Sequence, residues 1–228
     1  MAEWLCSGLQ SRVRRFDSGF SLQNIETMIG IIDSKICNIF SVENALNYLD
    51  INFISSSKAD DLQECTHLIL PGVGTFDEAM KNLEILDLIK FIESLAKDGR
   101  PLLGICLGMQ LLFEKSEEGS LPGLGLIPGE VKKFPNESVQ KIPHIGWNSV
   151  DFNEKDIRIL NGIDRNTDFY FIHSFYTKFG DEFSHATCEH EGFNFKCVVQ
   201  NKNIFGTQFH PEKSQDNGLA ILRNFIQI

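Results

Sequence analysis

The chain has 228 residues, 42% hydrophobic and 23% charged, an ordinary globular composition whose length suits a single α/β domain. A formal net charge of −10 argues against a nucleic-acid-binding surface, and no apolar run approaches the ~18 residues that a membrane span needs. Six cysteines, Cys6, Cys37, Cys65, Cys106, Cys188 and Cys197, show no paired CxxC spacing. No metal site or disulfide framework is therefore expected, and the chain reads as cytoplasmic.

The first 27 residues differ from the rest of the chain: three arginines cluster between positions 12 and 15, and Met28 stands directly before the first convincing strand. Residues 1–27 read as a leader, non-native or upstream of a second start. A targeting peptide is the weaker alternative, since Glu3, Asp17 and Glu26 run against it. Residues 28–228 read as one domain. MIGIID is a short apolar run, as in a buried parallel strand, and Ile39, Val42, Ala45, Leu46 and Leu49 recur at helical spacing. INFI and THLIL read as strands, the second ending at Pro71-Gly72. Leu83, Leu86, Ile89, Ile92 and Leu95 predict helix from about Phe76 to Lys97. RPLLGIC is a further strand and LGMQLLFEKS a helix. This β-α-β-α order predicts a mainly parallel central sheet with helices on both faces. Beyond Gly119, GLIPGEVKKF, DFYFIHSFY, FSHATCEH, FNFKCVVQ and NIFGTQF are strand-like, rich in phenylalanine and β-branched residues. The second half is expected to extend the sheet as an antiparallel or mixed layer, with DNGLAILRNFIQI as a terminal helix.

At the junction of strand and helix stands Gly104-Ile105-Cys106-Leu107-Gly108. A side chain that must stand at a sharp strand-to-helix turn needs small neighbours two residues away on either side, so that strand and helix can approach closely. The helix start offers N–H groups and a positive dipole end to the sulfur, favouring thiolate, and the same N–H groups can donate to an oxyanion. A buried structural cysteine is the competing reading until a base is found. Of the histidines, His67, His144, His173, His185, His190 and His210, the last follows the strand IFGTQF and continues as HPE. Glu212 can there hold one imidazole nitrogen while the other faces the sulfur, the logic of a Cys-His-Glu triad. The glycine-bearing turn at Pro71–Gly74 can supply a further N–H, or be a plain β-turn.

These residues resemble the class I (triad) glutamine amidotransferases, with GICLGMQ as the nucleophile motif and HPE as the His-Glu motif. LPGVGTF (70–76), FEKSEEG (113–119), IPHIGWN (142–148), FYFIHSFY (169–176) and HPEKS bring the chain nearest the glutaminase subunits of imidazole glycerol phosphate synthases, over residues 28–228. The resemblance implies glutamine hydrolysis to glutamate and ammonia through a thioester on Cys106, with no cofactor. Ammonia would pass to a cyclase subunit with a (β/α)8 barrel, forming imidazole glycerol phosphate and aminoimidazole carboxamide ribotide in histidine biosynthesis. It implies Cys106, His210 and Glu212 as the triad and Gly72, Val73 and Leu107 as oxyanion donors. Gln110, Glu118, His173 and Ser174 would hold glutamine, and Asn38, Pro143, Ile145, Trp147 and Lys213 would face the partner. As bare sequence features, Gln110 and Glu118 are also compatible with solvated positions, and His173 and Trp147 with the core.

One segment departs from the pattern. Ser34, Lys35, Ile36 and Cys37 stand where the resembled family carries a glycine-bearing loop beside its synthase, and residue 175 is phenylalanine in place of tyrosine. The same glutaminase chemistry serving another synthase, for example one building an amidino group on a surface sugar, is the alternative. A peptidase-like hydrolase or inactive binding module is a third reading, disfavoured by Gln110, Glu118 and PHIGW.

Overall fold

The computed structural model describes residues 27–152 and 157–228, so all of the proposed leader except Thr27 lies outside the described residues. Strands β1 (Ile29–Ile32), β2 (Phe53–Ser56), β3 (His67–Gly72), β4 (Leu102–Cys106) and β12 (Ile204–Thr207) are mutually parallel, in the order β2-β1-β3-β4-β12. Next to β12 the sheet turns antiparallel through β11 (Phe193–Asn201), β10 (Ser184–His190), β7 (His144–Asp151) and β8 (Thr167–His173). A branch of β5 (Lys115–Ser116), β6 (Glu130–Lys133) and β9 (Phe175–Lys178) joins at β11. The expected parallel half and antiparallel extension are one continuous sheet.

Strand alternation divides the core. Ile29, Ile31, Ile69, Leu103 and Ile105 face helices α1 (Ile39–Tyr48) and α6 (Gln215–Ile226) on one side. Ile32, Leu68, Leu70 and Leu102 face α2 (Ala59–Leu62), α3 (Phe76–Ile85), α4 (Leu88–Lys97) and α5 (Leu107–Leu111) on the other.

Several local expectations change. The helix read from Phe76 to Lys97 is two helices, because Asp87 adopts φ 56° after α3 ends and reverses the chain. The break lets Leu83 and Leu88 both reach the same core, and aspartate tolerates that conformation better than most residues. The helix expected over LGMQLLFEKS stops at Leu111, because Leu112 and Phe113 are drawn into the core and Lys115–Ser116 pairs with β6. IPHIGWN, singled out for a partner, largely forms strand β7, paired with β8 in register from His144↔His173 to Val150↔Thr167. In the Ser34–Cys37 segment Lys35 takes φ 66° without being glycine, and Asp33 Oδ1 accepts its N–H at 2.9 Å.

Candidate active site

β3, β4 and β12 lie side by side with their carboxyl ends on one edge of the sheet, where ligands bind in α/β folds. Cys106 closes β4 and opens α5 with φ 54° and ψ −111°, a strained conformation for a residue with a side chain, costing about 1–3 kcal/mol. The flanking glycines explain how the strain is sustained. A Cβ on Gly104 would stand 2.6 Å from the Gly108 carbonyl oxygen, and one on Gly108 would overlap the Leu70 carbonyl of β3. With neither present, α5 settles directly on the strands. The turn this forces leaves the Cys106 side chain on the wall of a cavity of about 300 Å³, near the small end of ligand pockets.

His210 lines the same cavity, although 104 positions separate the two in the chain, because β12 inserts beside β4 in parallel. His210 Nδ1 donates to Glu212 Oε1 at 2.7 Å, and both side chains are 3% exposed. Nε2 is buried with no partner in hydrogen-bond geometry. Burial opposes charging the ring, but its interactions with nearby Cys106 and hydrogen-bonded Glu212 outweigh that and raise the pKa to about 10. A protonated imidazole therefore faces the sulfur at neutral pH.

Val73, Leu107, Gln110, Glu118, Pro143, His173 and Ser174 also line the cavity. Glu118 Oε2 accepts the Phe76 N–H at 2.9 Å at the start of α3; burial raises its pKa, the N–H opposes that, and Asp77 adds to it. Gly72 is not on the wall. It sits under α5, where a Cβ would come within 2.8 Å of the Gly108 nitrogen. Gly74 takes the place at the cavity. The Val73 N–H points instead to the Ile36 carbonyl of the departing loop, at 3.3 Å. Asn38, Ile145, Trp147 and Lys213 are exposed outside the cavity.

Three participants were not singled out from sequence for the parts they take in this site. Ile36 holds the Val73 N–H. Gln208, fully buried, places Nε2 3.8 Å from Cys106 Sγ; its spacing of two from His210 on extended chain was the available signal. His144 donates from Nδ1 to His173 Nε2 at 3.0 Å. The direction follows because His173 Nδ1 already donates to the Phe175 carbonyl at 2.7 Å. Burial, opposed at His173 by the Phe175 carbonyl and helped at both by neighbouring histidines, lowers the His173 pKa to about 3 and that of His144 to about 4.

Residues 31–228 match the glutamine amidotransferase class-I family. The chain belongs to that family. Among similar curated proteins is imidazole glycerol phosphate synthase subunit HisH 1 of Campylobacter jejuni (strain RM1221), 48% identical over 88% of this chain and all of that one. The HisH subunits of Halalkalibacterium halodurans, 43% identical over 87% of this chain and 94% of its own, and Geobacillus thermodenitrificans, 44% over 89% and 96%, are also similar. A crystal structure of a glutamine amidotransferase shares the fold, with a TM-score of 0.68 at 17% identity over 87% of this chain and 97% of that one. The protein is thus a class-I glutamine amidotransferase, and GICLGMQ and HPE stand at the carboxyl ends of its strands β4 and β12.

Proposed function

We propose that this amidotransferase is the glutaminase subunit of an imidazole glycerol phosphate synthase. One observation carries the reading: a strained Cys106 and a Glu212-held His210 share one cavity with Gln110 and Glu118, in a chain 48% identical to a HisH subunit. In this reading Glu118 takes the ammonium group of glutamine, Gln110 and Ser174 hold the rest of its polar frame, and His173, both ring nitrogens engaged, forms the wall beside it. The Cys106 thiolate attacks the carboxamide carbon. His210 gives its proton to the leaving nitrogen, ammonia departs, and a γ-glutamyl thioester remains. Water, deprotonated by the now neutral His210, attacks the thioester and releases glutamate and the thiolate.

The oxyanion receives the Leu107 N–H, and the Val73 N–H once that peptide leaves the Ile36 carbonyl; Gly74, at φ 91°, gives the adjoining backbone freedom to turn. Until it turns, the hole lacks a donor, which is worth about 10²–10³ in rate. The resting subunit therefore spares glutamine. Ammonia passes by Pro143 toward Ile145 and Trp147 to a (β/α)8-barrel cyclase, which Asn38 and Lys213 also face. There it yields imidazole glycerol phosphate and aminoimidazole carboxamide ribotide for histidine biosynthesis. A cytoplasmic setting fits the five described cysteines, all free, and no described helix is long and apolar enough to cross a membrane. The altered Ser34–Cys37 segment, with Lys35 exposed, favours a second reading in which the same chemistry feeds another synthase.

The deciding experiment mixes the chain with a histidine-pathway cyclase and measures glutamine hydrolysis with and without the cyclase's ribonucleotide. Stimulation of about 10²-fold or more supports the first reading. No stimulation, with Cys106 still labelled by a glutamine-analogue inactivator, supports the second. Cys106→Ser and His210→Asn are expected to abolish synthesis from glutamine and spare synthesis from ammonium salt; loss of both would count against these roles.

A further inference from the structure

Gln208 has no role in the hydrolysis steps, yet it is fully buried between two of the groups that carry them. Gln110 Nε2 donates both to the Phe175 carbonyl at 3.2 Å and to Gln208 Oε1 at 3.0 Å. A backbone carbonyl only accepts, so the nitrogen of Gln110 must be the end that faces it. That assignment fixes the next one: Gln208 turns its oxygen to Gln110 and its NH₂ to Cys106 Sγ, 3.8 Å away. The backbone leaves little room for another arrangement, because the Gln208 N–H is held by the Cys197 carbonyl at 2.8 Å and Thr207 is paired with Ile105, one residue before the nucleophile.

We propose that Gln208 is a positioning residue that couples the glutamine-holding Gln110 to the nucleophile. Its carboxamide aims an N–H at the sulfur, where a thiolate carries its charge, and locks Gln110 so that the latter's own amide oxygen is left to the cavity. As a thiol the sulfur donates to the Ile172 carbonyl, 3.8 Å away; as a thiolate it can only accept, and the Gln208 N–H at the same distance is the donor on hand. The inference rests on Cys106 as nucleophile and Gln110 as substrate ligand.

The test is the pH profile of Cys106 alkylation by iodoacetamide, read by peptide mass spectrometry so that the partly exposed Cys37 serves as an internal reference. Gln208→Leu is expected to slow Cys106 alkylation at pH 7 about tenfold, the scale of a hydrogen bond to a charged group, and to move its half-maximal rate to higher pH, with Cys37 unchanged. Gln208→Met, closer in length, gives the same result if Leu fails to fold. In steady-state hydrolysis with the cyclase, both variants lower kcat and raise KM. A folded variant whose Cys106 profile coincides with wild type overturns the proposal, even if its melting temperature falls, since packing alone would do that. A shifted profile in a protein that no cyclase stimulates upholds the Gln208–Cys106 coupling and removes the synthase assignment instead.

Discussion

At the scale of single residues, His210 and the His144–His173 pair are tuned in opposite directions by their surroundings. His210 is buried but is hydrogen-bonded to Glu212 and faces Cys106, so its folded pKa of about 10 exceeds the ordinary 6.5. The folded state then binds more protons than the unfolded state between those values. Its contribution to stability is complete below about pH 6.5 and is lost as pH rises through about 10. His173 and His144 have no such partners; burial keeps them neutral, with values of about 3 and 4. Their contribution is complete above pH 6.5 and is lost as pH falls through that lower range. Urea unfolding from pH 4 to 10 is expected to show both limbs. His210→Asn should flatten the alkaline limb and leave the acid limb in place. Equal alkaline slopes in variant and wild type would refute the assignment of that limb to His210.

At the scale of elements, the site depends on how closely α5 lies on β3, β4 and β12. Gly104, Gly108 and Gly206 each stand where a Cβ would strike a neighbour: helix backbone, the Leu70 carbonyl and Met109 respectively. Gly104→Ala is therefore expected to lift α5 and destabilise the fold by about 1–3 kcal/mol, the usual cost of overpacking. Because α5 carries both Cys106's turn and Gln110, glutamine hydrolysis should fall further than the loss of folded protein explains. Thermal unfolding together with activity per folded molecule checks this. The turn after β12 is held as firmly: Ser214 Oγ donates to the His210 carbonyl at 2.7 Å and accepts the Tyr170 N–H at 2.9 Å, tying the turn that carries His210 and Glu212 to β8.

Across the whole molecule, the cavity opens beside an apolar surface. On the β7–β8 pair, Phe169 and Phe171 point into the core, while Ile145 and Ile172, opposite each other in register, are 57% and 40% exposed. Trp147 is 47% exposed and meets Tyr170 edge-on. An antiparallel pair with one solvated face would normally carry polar residues there; an apolar one beside a cavity mouth suits a partner. Ile145→Asp is expected to weaken association with the proposed cyclase partner at least tenfold by titration calorimetry. Iodoacetamide labelling of Cys106 in the isolated subunit should stay at the wild-type rate; a change there would mean that the substitution acts through the fold.

The parallel half-sheet and the grouping of Cys106, His210 and Glu212 were legible in the sequence because each leaves a local mark. A sharp turn demands glycines two positions away, and a histidine held by a carboxylate is written within three residues as HPE. The end of α3 at Ile85 left no such mark, since no glycine or proline signals it. The contacts that tune the site were illegible for a different reason: Gln110 meets Gln208 across 98 positions and His144 meets His173 across 29. Val73 likewise finds Ile36 in another loop. Such pairs depend on which strands lie side by side, above all on β12 returning from the end of the chain to lie against β4. Local periodicity records the faces of strands and helices; it does not record their neighbours.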